Sequence, residues 1–324
     1  MYSFILGDVN INVNINILEN SVIQEEEQEE IKNFIKKGIA DKWQPKKIEN
    51  MKLVKKYEKI GNINKALRLR LCGRWLEYAV NRELKKVKLV KASSCHVRLC
   101  PICAWRRSLN VFRNLSAVYA EDRKQHKHIF LTLTQKNVTA EELDGEIQKI
   151  SKGFLRLLRL KEVKEVVQGY TRCIEITYNK HTNKYHPHIH AILSVKKSYG
   201  HKAYLSQKFF VEKWQKILEL NYSPIVDIRK IEQLNGKSVA EVAKYSIKSI
   251  DYIKKGADIE ILDNALNNKR LISYGGCIKI LKQQILKKKK IEEEFEGEFE
   301  EWKEWERIIY EWHFETEVYR KLMA

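Results

Sequence analysis

The spacing of apolar and polar residues between positions 126 and 260 predicts alternating strands and helices. His128–Thr134 is a predicted strand because of its β-branched and aromatic content. Thr171–Tyr178 and His186–Val195 are predicted as two further strands, which the polar turn Asn179–Tyr185 joins into an antiparallel hairpin. Glu141–Leu160 carries apolar residues at helical spacing. Helices are also predicted at Phe209–Leu218 and Val239–Ile253. This pattern indicates a mixed α+β protein.

The two ends of the chain carry weaker patterns. Residues 1–50 are rich in Asn, Glu and Lys, with a short helix around Ile31–Ile39, and we expect a loosely ordered extension there. Ile278–Leu322 is a long charged stretch that we expect to be helical. The predicted divisions are a poorly ordered acidic and polar extension at 1–50, a basic cysteine-rich segment at 51–116, the α+β domain at 117–255, and a helical C-terminal region with an acidic tail at 256–324.

Charge is distributed unevenly along the 324 residues. The net charge is +19, from 61 Lys and Arg against 42 Asp and Glu. Residues 1–35 have a net charge of −6 and residues 291–324 a net charge of −8, so 36–290 alone carries +33. A basic body between acidic ends indicates a polyanionic partner, most simply nucleic acid, because Lys and Arg that bind phosphates release condensed counterions. The alternative is a Lys-rich composition without a binding role.

The sequence argues against membrane insertion and secretion. No apolar run approaches the roughly 20 residues that a membrane-spanning helix needs. The first residues, Met1–Leu18, include Asp8 and alternating Asn and lack a basic start, so we expect no signal peptide. Six cysteines in a chain of this length are too few for a secreted disulfide scaffold. We therefore expect the protein in the cytoplasm.

Four cysteines lie within 32 positions, at Cys72, Cys95, Cys100 and Cys103. The CPIC spacing lets two thiolates meet one metal ion, and the other two thiols complete a tetrahedral set, so we predict a structural zinc. His96 is an alternative fourth ligand, and the competing interpretation is a group of buried thiols. The residues that follow carry aromatic and guanidinium groups suited to DNA phosphates. These candidate DNA contacts are Trp105, Arg106, Arg107 and Arg113.

Three histidines within five residues mark the second predicted strand of the hairpin. Side chains alternate between the two faces of a strand, so His188 and His190 project to the same side. On the neighbouring strand Glu175 can add a carboxylate. Two imidazoles and one carboxylate suit a divalent ion, Mg²⁺ or Mn²⁺, that polarises a phosphate oxygen. His186 shares this parity and is a competing ligand.

The predicted helix Val239–Ile253 has a polar face that carries Glu241, Tyr245, Lys248 and Tyr252. An ordinary amphipathic helix would show the same pattern. Next to a metal site in a basic chain, however, a Tyr hydroxyl can attack a phosphodiester and a nearby Glu can later activate water. Lys244 on the same helix is a further candidate DNA contact.

With these motifs in place, the sequence resembles the rolling-circle replication initiators of small Gram-positive plasmids, which belong to the HUH endonuclease superfamily. The resemblance runs from about Cys72 to Lys282 and also includes YGGCIK at Tyr274–Lys279. Four blocks match in order: Cys95–Arg107 (CHVRLCPICAWRR), Phe130–Asn137 (FLTLTQKN), Gly169–Leu193 with its HPHIHAIL core, and Glu241–Lys248 (EVAKYSIK).

The resemblance implies a fold and a set of site residues. It implies a ferredoxin-like antiparallel sheet, the HUH endonuclease fold, over 117–255, with the cysteine-rich basic segment before it and a helical C-terminal extension after it. His188 and His190 fall on the family's metal histidines, and Glu175 on its acidic position. Tyr245 falls on the nucleophile and Glu241 on the carboxylate that some members use for hydrolysis at termination. Tyr252 leaves a two-tyrosine mechanism open.

The resemblance also implies an activity and partners. The expected reaction is nicking of one strand at a plasmid double-strand origin through a phosphotyrosine, which frees a 3′-OH. Lys248 would stabilise developing negative charge. Origin DNA, a host helicase and a host DNA polymerase are the implied partners, and we add a homodimer as an expectation. Two alternatives are an HUH transposase or relaxase, and a zinc-stabilised DNA-binding regulator without cleavage activity.

Overall fold

The protein is described by a computed structural model as two compact units with both helices and sheets. One unit comprises Met1–Arg106 and Glu296–Ala324, and the other comprises Arg107–Phe295. The prediction of an α+β protein is confirmed. In the part of the chain that the structure describes, no helix is both long and apolar enough to cross a membrane. The described residues are 2–5, 12–13, 22–81, 86–200, 204–231, 236–243, 249–299 and 305–322.

The described chain contains strands and helices from end to end. The strands are β1 (Tyr2–Ile5), β2 (Asn12–Val13), β3 (Trp75–Asn81), β4 (Lys86–Ala92), β5 (His126–Leu133), β6 (Val167–Asn179), β7 (Lys184–Lys196), β8 (Val226–Ile231), β9 (Ile272–Gly275), β10 (Glu306–His313) and β11 (Val318–Lys321). The helices are α1 (Val22–Gly38), α2 (Gln44–Lys59), α3 (Ile63–Leu71), α4 (Pro101–Asp122), α5 (Leu143–Arg159), α6 (Lys161–Val166), α7 (Gln207–Leu218), α8 (Gly236–Ala243), α9 (Ser249–Ile253), α10 (Ile259–Leu266) and α11 (Gly276–Phe299). A π-helical turn, Ile39–Trp43, connects α1 to α2.

The unit Arg107–Phe295 is built on a five-stranded sheet in the order β8-β5-β7-β6-β9. Every pairing in it is antiparallel, and the predicted hairpin is present as the long β6–β7 pair. The hairpin is longer than predicted, because the pairing of the two strands continues from Val167 opposite Val195 to Asn179 opposite Lys184. The strand over His128–Thr134 and the helices over Glu141–Leu160 and Phe209–Leu218 are confirmed to within a few residues.

Each face of this sheet is covered by helices. On one face α5 packs, with the Phe154 ring 5.3 Å from that of Tyr170 and the Ser151 hydroxyl 2.7 Å from the Arg172 guanidinium. On the other face α4, α8 and α11 bury a compact apolar cluster. This cluster does not extend to the turn end of the β6–β7 hairpin. The buried cluster consists of Leu115, Val118, Tyr119, Phe130, Cys173, Ile192, Val239, Val242 and Ile278.

Two adjacent glycines allow α11 to begin against β6. Gly276 has a φ of +57°, a left-handed conformation that L residues with side chains adopt rarely. A Cβ at Gly276 would also collide with the carbonyl oxygen of Gln168, and one at Gly275 would collide with the Tyr170 ring. The YGGC segment therefore needs glycine at both positions, and this close approach fixes the place of Cys277, the second residue of α11.

The unit made of the two chain ends holds a six-stranded sheet in the order β11-β10-β3-β4-β1-β2. The expectation of a loosely ordered extension over 1–50 is wrong from position 22 onward, where α1, the π-helical turn and α2 form. These segments bury a stripe at a spacing of four residues: Ile31, Ile35, Ile39 and Trp43, with 4%, 0%, 4% and 1% of their surface exposed. The many Glu and Lys residues between these positions obscure the four-residue apolar spacing, although this spacing is what packs the helices.

The predicted helix to Leu322 is confirmed as α11 but is wrong over 306–321, where β10 and β11 form a hairpin. Ile308, Tyr310 and Trp312 are each at most 3% exposed and alternate with more exposed residues, which is the two-residue period of a strand. β10 pairs with β3, and Arg74 bonds Glu311 at 2.9 Å. The helical C-terminal region is therefore a helix followed by strands, and those strands belong to the first unit.

The predicted helix Val239–Ile253 is described as two pieces, α8 and α9, separated by residues 244–248. The predicted buried face is present in α8, where Val239, Val242 and Ala243 are at most 2% exposed. The placement of Tyr252 on the polar face is wrong, because its side chain is 1% exposed. The boundary between the two compact units falls inside α4, after Arg106, and precedes the predicted one at 116.

Candidate metal centre and cysteine cluster

The β6–β7 hairpin brings a carboxylate and two imidazoles together near its turn. Glu175 lies directly opposite His188, and Cys173 directly opposite His190, so the three polar side chains share one face of the sheet. The Nε2 atom of His190 lies 3.2 Å from Oε2 of Glu175, and that of His188 lies 3.7 Å from the same oxygen. The predicted ligand set therefore converges on one point.

The donor atoms fit a divalent cation. At a metal–ligand distance of about 2.1 Å, adjacent octahedral ligands are about 3.0 Å apart. The Nδ1 atom of His188 lies 3.1 Å from the His186 carbonyl oxygen, and that of His190 lies 3.2 Å from the Thr132 hydroxyl. When each Nδ1 carries the proton in these contacts, both Nε2 lone pairs face Glu175 and are free to bind a metal.

The electrostatics of the site keep its carboxylate ionised. Burial would raise the pKa of Glu175, but hydrogen bonds with His188 and His190 outweigh it and hold the pKa well below the usual value. The Glu175 side chain is only 6% exposed, so its negative charge has little water to solvate it. A buried ionised carboxylate of this kind needs a cation nearby, and a divalent metal ion bound by this group would supply it.

His186 lies beside this group but outside it. Its ring centroid is 5.1 Å from that of His188, and the donor group found among the described residues contains Glu175, His188 and His190. Burial lowers the pKa of His186 below its usual value, and the neighbouring His188 adds to the effect. His186, the alternative ligand, therefore lies next to the donor group, and its backbone carbonyl orients the His188 ring.

Of the residues predicted on the catalytic helix, Glu241 is the one placed at the site. Its Oε1 lies 4.0 Å from Nε2 of His190, and its side chain is 33% exposed, so it borders the open side of the cluster. Tyr245, Lys248 and Lys244 lie outside the described residues. The Ser108 hydroxyl donates a 2.6 Å hydrogen bond to the carbonyl of Ala243, the last residue of α8, and so holds the chain just before them.

Three residues at the site were missed from the sequence: Thr132, Phe130 and Arg229. The Phe130 ring lies 5.7 Å from the His190 ring, and the Arg229 guanidinium lies 5.0 Å from the Phe130 centroid. Arg229 is on β8, directly opposite Phe130, and its side chain is 63% exposed. An exposed guanidinium there suits a DNA phosphate. The alternation of apolar and polar residues in VDIRKI is the signal that predicts a strand there. The local sequence does not indicate which strand β8 pairs with.

The Thr132 hydroxyl positions His190, and its removal is expected to weaken metal binding. Thr132→Val keeps the shape of the side chain but removes the partner of His190 Nδ1. We expect the affinity for Mn²⁺ to fall by about 10- to 100-fold, as for other residues that orient metal ligands. Isothermal titration of Mn²⁺ into the purified chain measures this. Thr177→Val, on the same face of β6 and opposite His186, is the matched control; equal affinities in the two variants would contradict the role of Thr132.

The four predicted cysteines form a compact buried cluster. The Sγ atoms of Cys72 and Cys103 are 3.5 Å apart, those of Cys72 and Cys100 3.6 Å, and those of Cys95 and Cys103 3.7 Å. Four sulfurs at about 2.3 Å from a tetrahedral zinc lie about 3.8 Å apart, so these separations fit that ion. All four are free thiols. His96, the alternative ligand, is exposed and lies outside the group.

Donor groups surround the cysteine cluster. The buried Nζ of Lys47 donates to the carbonyl oxygens of Cys72 and Arg70 at 2.6 Å and 2.7 Å, and the Asn50 amide donates to the Cys100 sulfur at 3.4 Å. Burial lowers the pKa of Lys47 to about 8, while the nearby cysteines act in the opposite direction. A positive side chain and amide donors around the sulfurs are what a negatively charged zinc–thiolate centre requires.

The four candidate DNA contacts that follow the cysteine cluster differ in how they are packed. The Trp105 ring meets the buried Trp43 ring edge-on, with centroids 5.1 Å apart, and the Arg106 guanidinium lies 5.7 Å from the Trp43 centroid. These two side chains therefore pack within the first unit. Arg107 is exposed and Arg113 is half-buried, close to Asn110. Their role in binding DNA stays a prediction.

Comparisons with known proteins give one consistent result. A family model described as "Replication protein" (Rep_1) matches residues 86–320. The chain is similar to "Protein rep" of Bacillus amyloliquefaciens, 37% identical over 68% of this chain and 73% of that protein, and to "Protein rep" of Lactiplantibacillus plantarum, 33% identical over 87% and 96%. A third relative, "Protein rep" of Staphylococcus aureus, is 39% identical over 56% and 81%. No solved structure matches significantly. The family resemblance found in the sequence is confirmed.

Proposed function

This chain belongs to the Rep_1 family of replication proteins, and on that premise we propose that it starts plasmid replication by nicking one strand at the double-strand origin. The observation that carries the proposal is the convergence of two imidazole nitrogens and a carboxylate on one face of the sheet. Glu241 lies beside them at 4.0 Å, and Tyr245 follows it by one helical turn in the sequence.

The residues of the chain divide the chemistry between them. Glu175, His188 and His190 would hold Mg²⁺ or Mn²⁺, which when bound polarises the scissile phosphate. The Tyr245 hydroxyl oxygen attacks the phosphorus and forms a 5′-phosphotyrosine, while the bond to the 3′ oxygen breaks and that oxygen takes up a proton. Lys248 offsets negative charge that develops on the phosphate. The freed 3′-OH is the primer for the host polymerase.

The partners follow from the reaction and the charge. The basic body over 36–290, with its net charge of +33, would bind origin DNA through phosphate contacts, which makes binding sensitive to salt. A host helicase would separate the two strands of the plasmid ahead of the host polymerase. As a homodimer, two copies of the chain would be present, one for the cleavage at initiation and one for the cleavage at termination. The cysteine cluster would hold a structural Zn²⁺ that stabilises the first unit and takes no part in cleaving the phosphodiester bond.

Incubation with a supercoiled origin plasmid and Mn²⁺ tests the proposal. The wild-type chain is expected to produce open circles and to become covalently attached to a single-stranded origin oligonucleotide. Tyr245→Phe should do neither, because the phenylalanine ring has no oxygen to attack phosphorus. The matched control is Tyr252→Phe, a buried tyrosine on α9, which should retain both activities.

Three outcomes would overturn the proposal or redirect it. A covalent adduct in Tyr245→Phe would remove that residue as the nucleophile. A wild-type chain that binds the origin but yields no open circles would be the zinc-stabilised regulator. Cleavage of a transposon end or a transfer origin, and not of the plasmid origin, would identify a transposase or a relaxase with the same chemistry.

Glu241 is expected to act after nicking. Its carboxylate lies at the open side of the cluster, where it can activate water against the phosphotyrosine. We expect Glu241→Gln to leave the nicking rate within about threefold and to slow hydrolytic release at termination by about 10²-fold, the lower end of what a general base contributes. Nicking and release are followed separately on oligonucleotides that carry one and two origin sites. Glu212→Gln, on the exposed face of α7, is the control; equal loss of both steps would refute a separate role.

A further inference from the structure

A third group of metal-ligating side chains lies in the unit Arg107–Phe295, where α4 ends and β5 begins. Its donor atoms come from Asp122, His126 and Cys277 and all lie within 4.8 Å of one another. Oδ1 of Asp122 is 2.8 Å from Nδ1 of His126 and 3.5 Å from Sγ of Cys277. An oxygen, a nitrogen and a sulfur therefore converge from three different elements of the fold.

Local structure fixes each of these donors. Asp122 ends α4, and His126 begins β5 after a short turn. Cys277 is held against β6 by the close approach at Gly169, where an added Cβ would lie 2.5 Å from the Cys277 sulfur. The positions of the three donor atoms are thus set mainly by the backbone and less by flexible side chains, as a preformed ligand site requires.

The second oxygen of Asp122 is held by other residues. Oδ2 accepts a 2.6 Å hydrogen bond from the Ser194 hydroxyl and lies 2.8 Å from Nε2 of His128. The Asp122 side chain is fully buried, whereas that of His126 is 16% exposed. Ser194 and His128 therefore orient the carboxylate so that Oδ1 faces His126 and Cys277, which is how outer residues orient a metal ligand.

We propose that Asp122, His126 and Cys277 bind a transition-metal ion of the Zn²⁺ class, at a site separate from both the hairpin cluster and the four cysteines. A mixed set with a thiolate and an imidazole favours Zn²⁺ or Co²⁺ over Mg²⁺, which takes oxygen ligands. On binding, the Cys277 thiol releases its proton to solvent, and His126 coordinates through Nδ1 with its own proton on Nε2. Three protein ligands leave a fourth position on the side where His126 and Cys277 reach the surface.

Zinc counting on untagged full-length chains tests this site independently of the nicking reaction. The parent carries His188→Ala and His190→Ala, so that the hairpin cluster cannot contribute. After loading with Zn²⁺ and dialysis into Mg²⁺ buffer, plasma mass spectrometry gives the zinc per chain. Adding Cys277→Ser or His126→Ala is expected to lower the count by about one atom, because a tetrahedral site rarely survives with two protein ligands.

The controls separate loss of a ligand from loss of the fold. Cys173→Ser removes a buried thiol of β6 that belongs to none of the three donor groups and should keep the parental zinc count. Circular dichroism verifies folding, and His126→Ala, at a partly exposed position, decides the question if Cys277→Ser unfolds. Zinc counts equal to the parent in the folded variants would overturn the site and would show that Asp122 accepts only hydrogen bonds.

Discussion

His190→Ala is expected to lower the rate of origin nicking by about 10³-fold. The imidazole is one of two that converge on Glu175, and without it the remaining carboxylate and imidazole bind a divalent ion weakly. Charge stabilisation by a bound ion contributes several kcal/mol to such reactions, and each 1.4 kcal/mol changes the rate about tenfold. The measurement is the initial rate of open-circle formation at one Mn²⁺ concentration, set just high enough to saturate the wild type.

The same strand supplies the control for this experiment. His186 projects to the same side of β7 as His190, and its ring lies against that of His188, but its side chain is outside the donor group. We expect His186→Ala to nick within about threefold of the wild type, since its carbonyl, which orients His188, is retained. Equal losses in the two variants would show that the strand, and not the ligand, was disturbed. Rescue of His190→Ala by excess Mn²⁺ would place the defect in metal affinity.

Removing zinc from the cysteine cluster is expected to unfold the first unit. Structural zinc binding is worth about 10–16 kcal/mol in small zinc domains, which equals or exceeds the roughly 5–15 kcal/mol by which a whole domain is stable. Cys100→Ser, or treatment of the wild type with a strong chelator, should therefore cost most of the stability of this unit. The Cys100 sulfur is fully buried, so no water can replace the lost ligand.

Tryptophan fluorescence reports this unfolding selectively. Of the seven tryptophans, Trp214 alone falls in the unit Arg107–Phe295. A urea titration followed by fluorescence should show an early transition in chelator, and Cys100→Ser should show the same early transition with or without chelator. Cys173→Ser is the control that keeps chelator sensitivity. A wild-type transition that does not move when chelator is added would contradict a structural zinc.

The parts of the fold that the sequence predicted are those encoded by short-range periodicity. The β6–β7 hairpin follows from alternation across a turn, and that alternation correctly put Glu175 on the face of His188 and His190. Contacts that depend on which strands become neighbours could not be predicted in this way. Thr132 reaches His190 only because β5 pairs with β7 in one register, and Arg229 reaches Phe130 only because β8 joins that edge.

Errors at the chain ends have a different physical origin. The helices before Lys59 bury apolar residues spaced four apart, but a high density of Glu and Lys makes each such stretch resemble a solvated segment. The sequence pattern predicts helix over β10 because charged residues precede this segment and its pairing partner, β3, lies more than 200 residues earlier. Burial against a distant partner overrode local propensity there.

The pairing of β10 with β3 also sets an order of events during synthesis. The ribosome releases β3 and the four cysteines early, yet the sheet that contains β3 cannot be completed until Glu306–His313 emerges. The unit Arg107–Phe295 is encoded entirely between these two pieces and can fold while the first unit waits with an open strand edge. The nascent protein must therefore keep this unpaired strand edge shielded until Glu306–His313 has been translated.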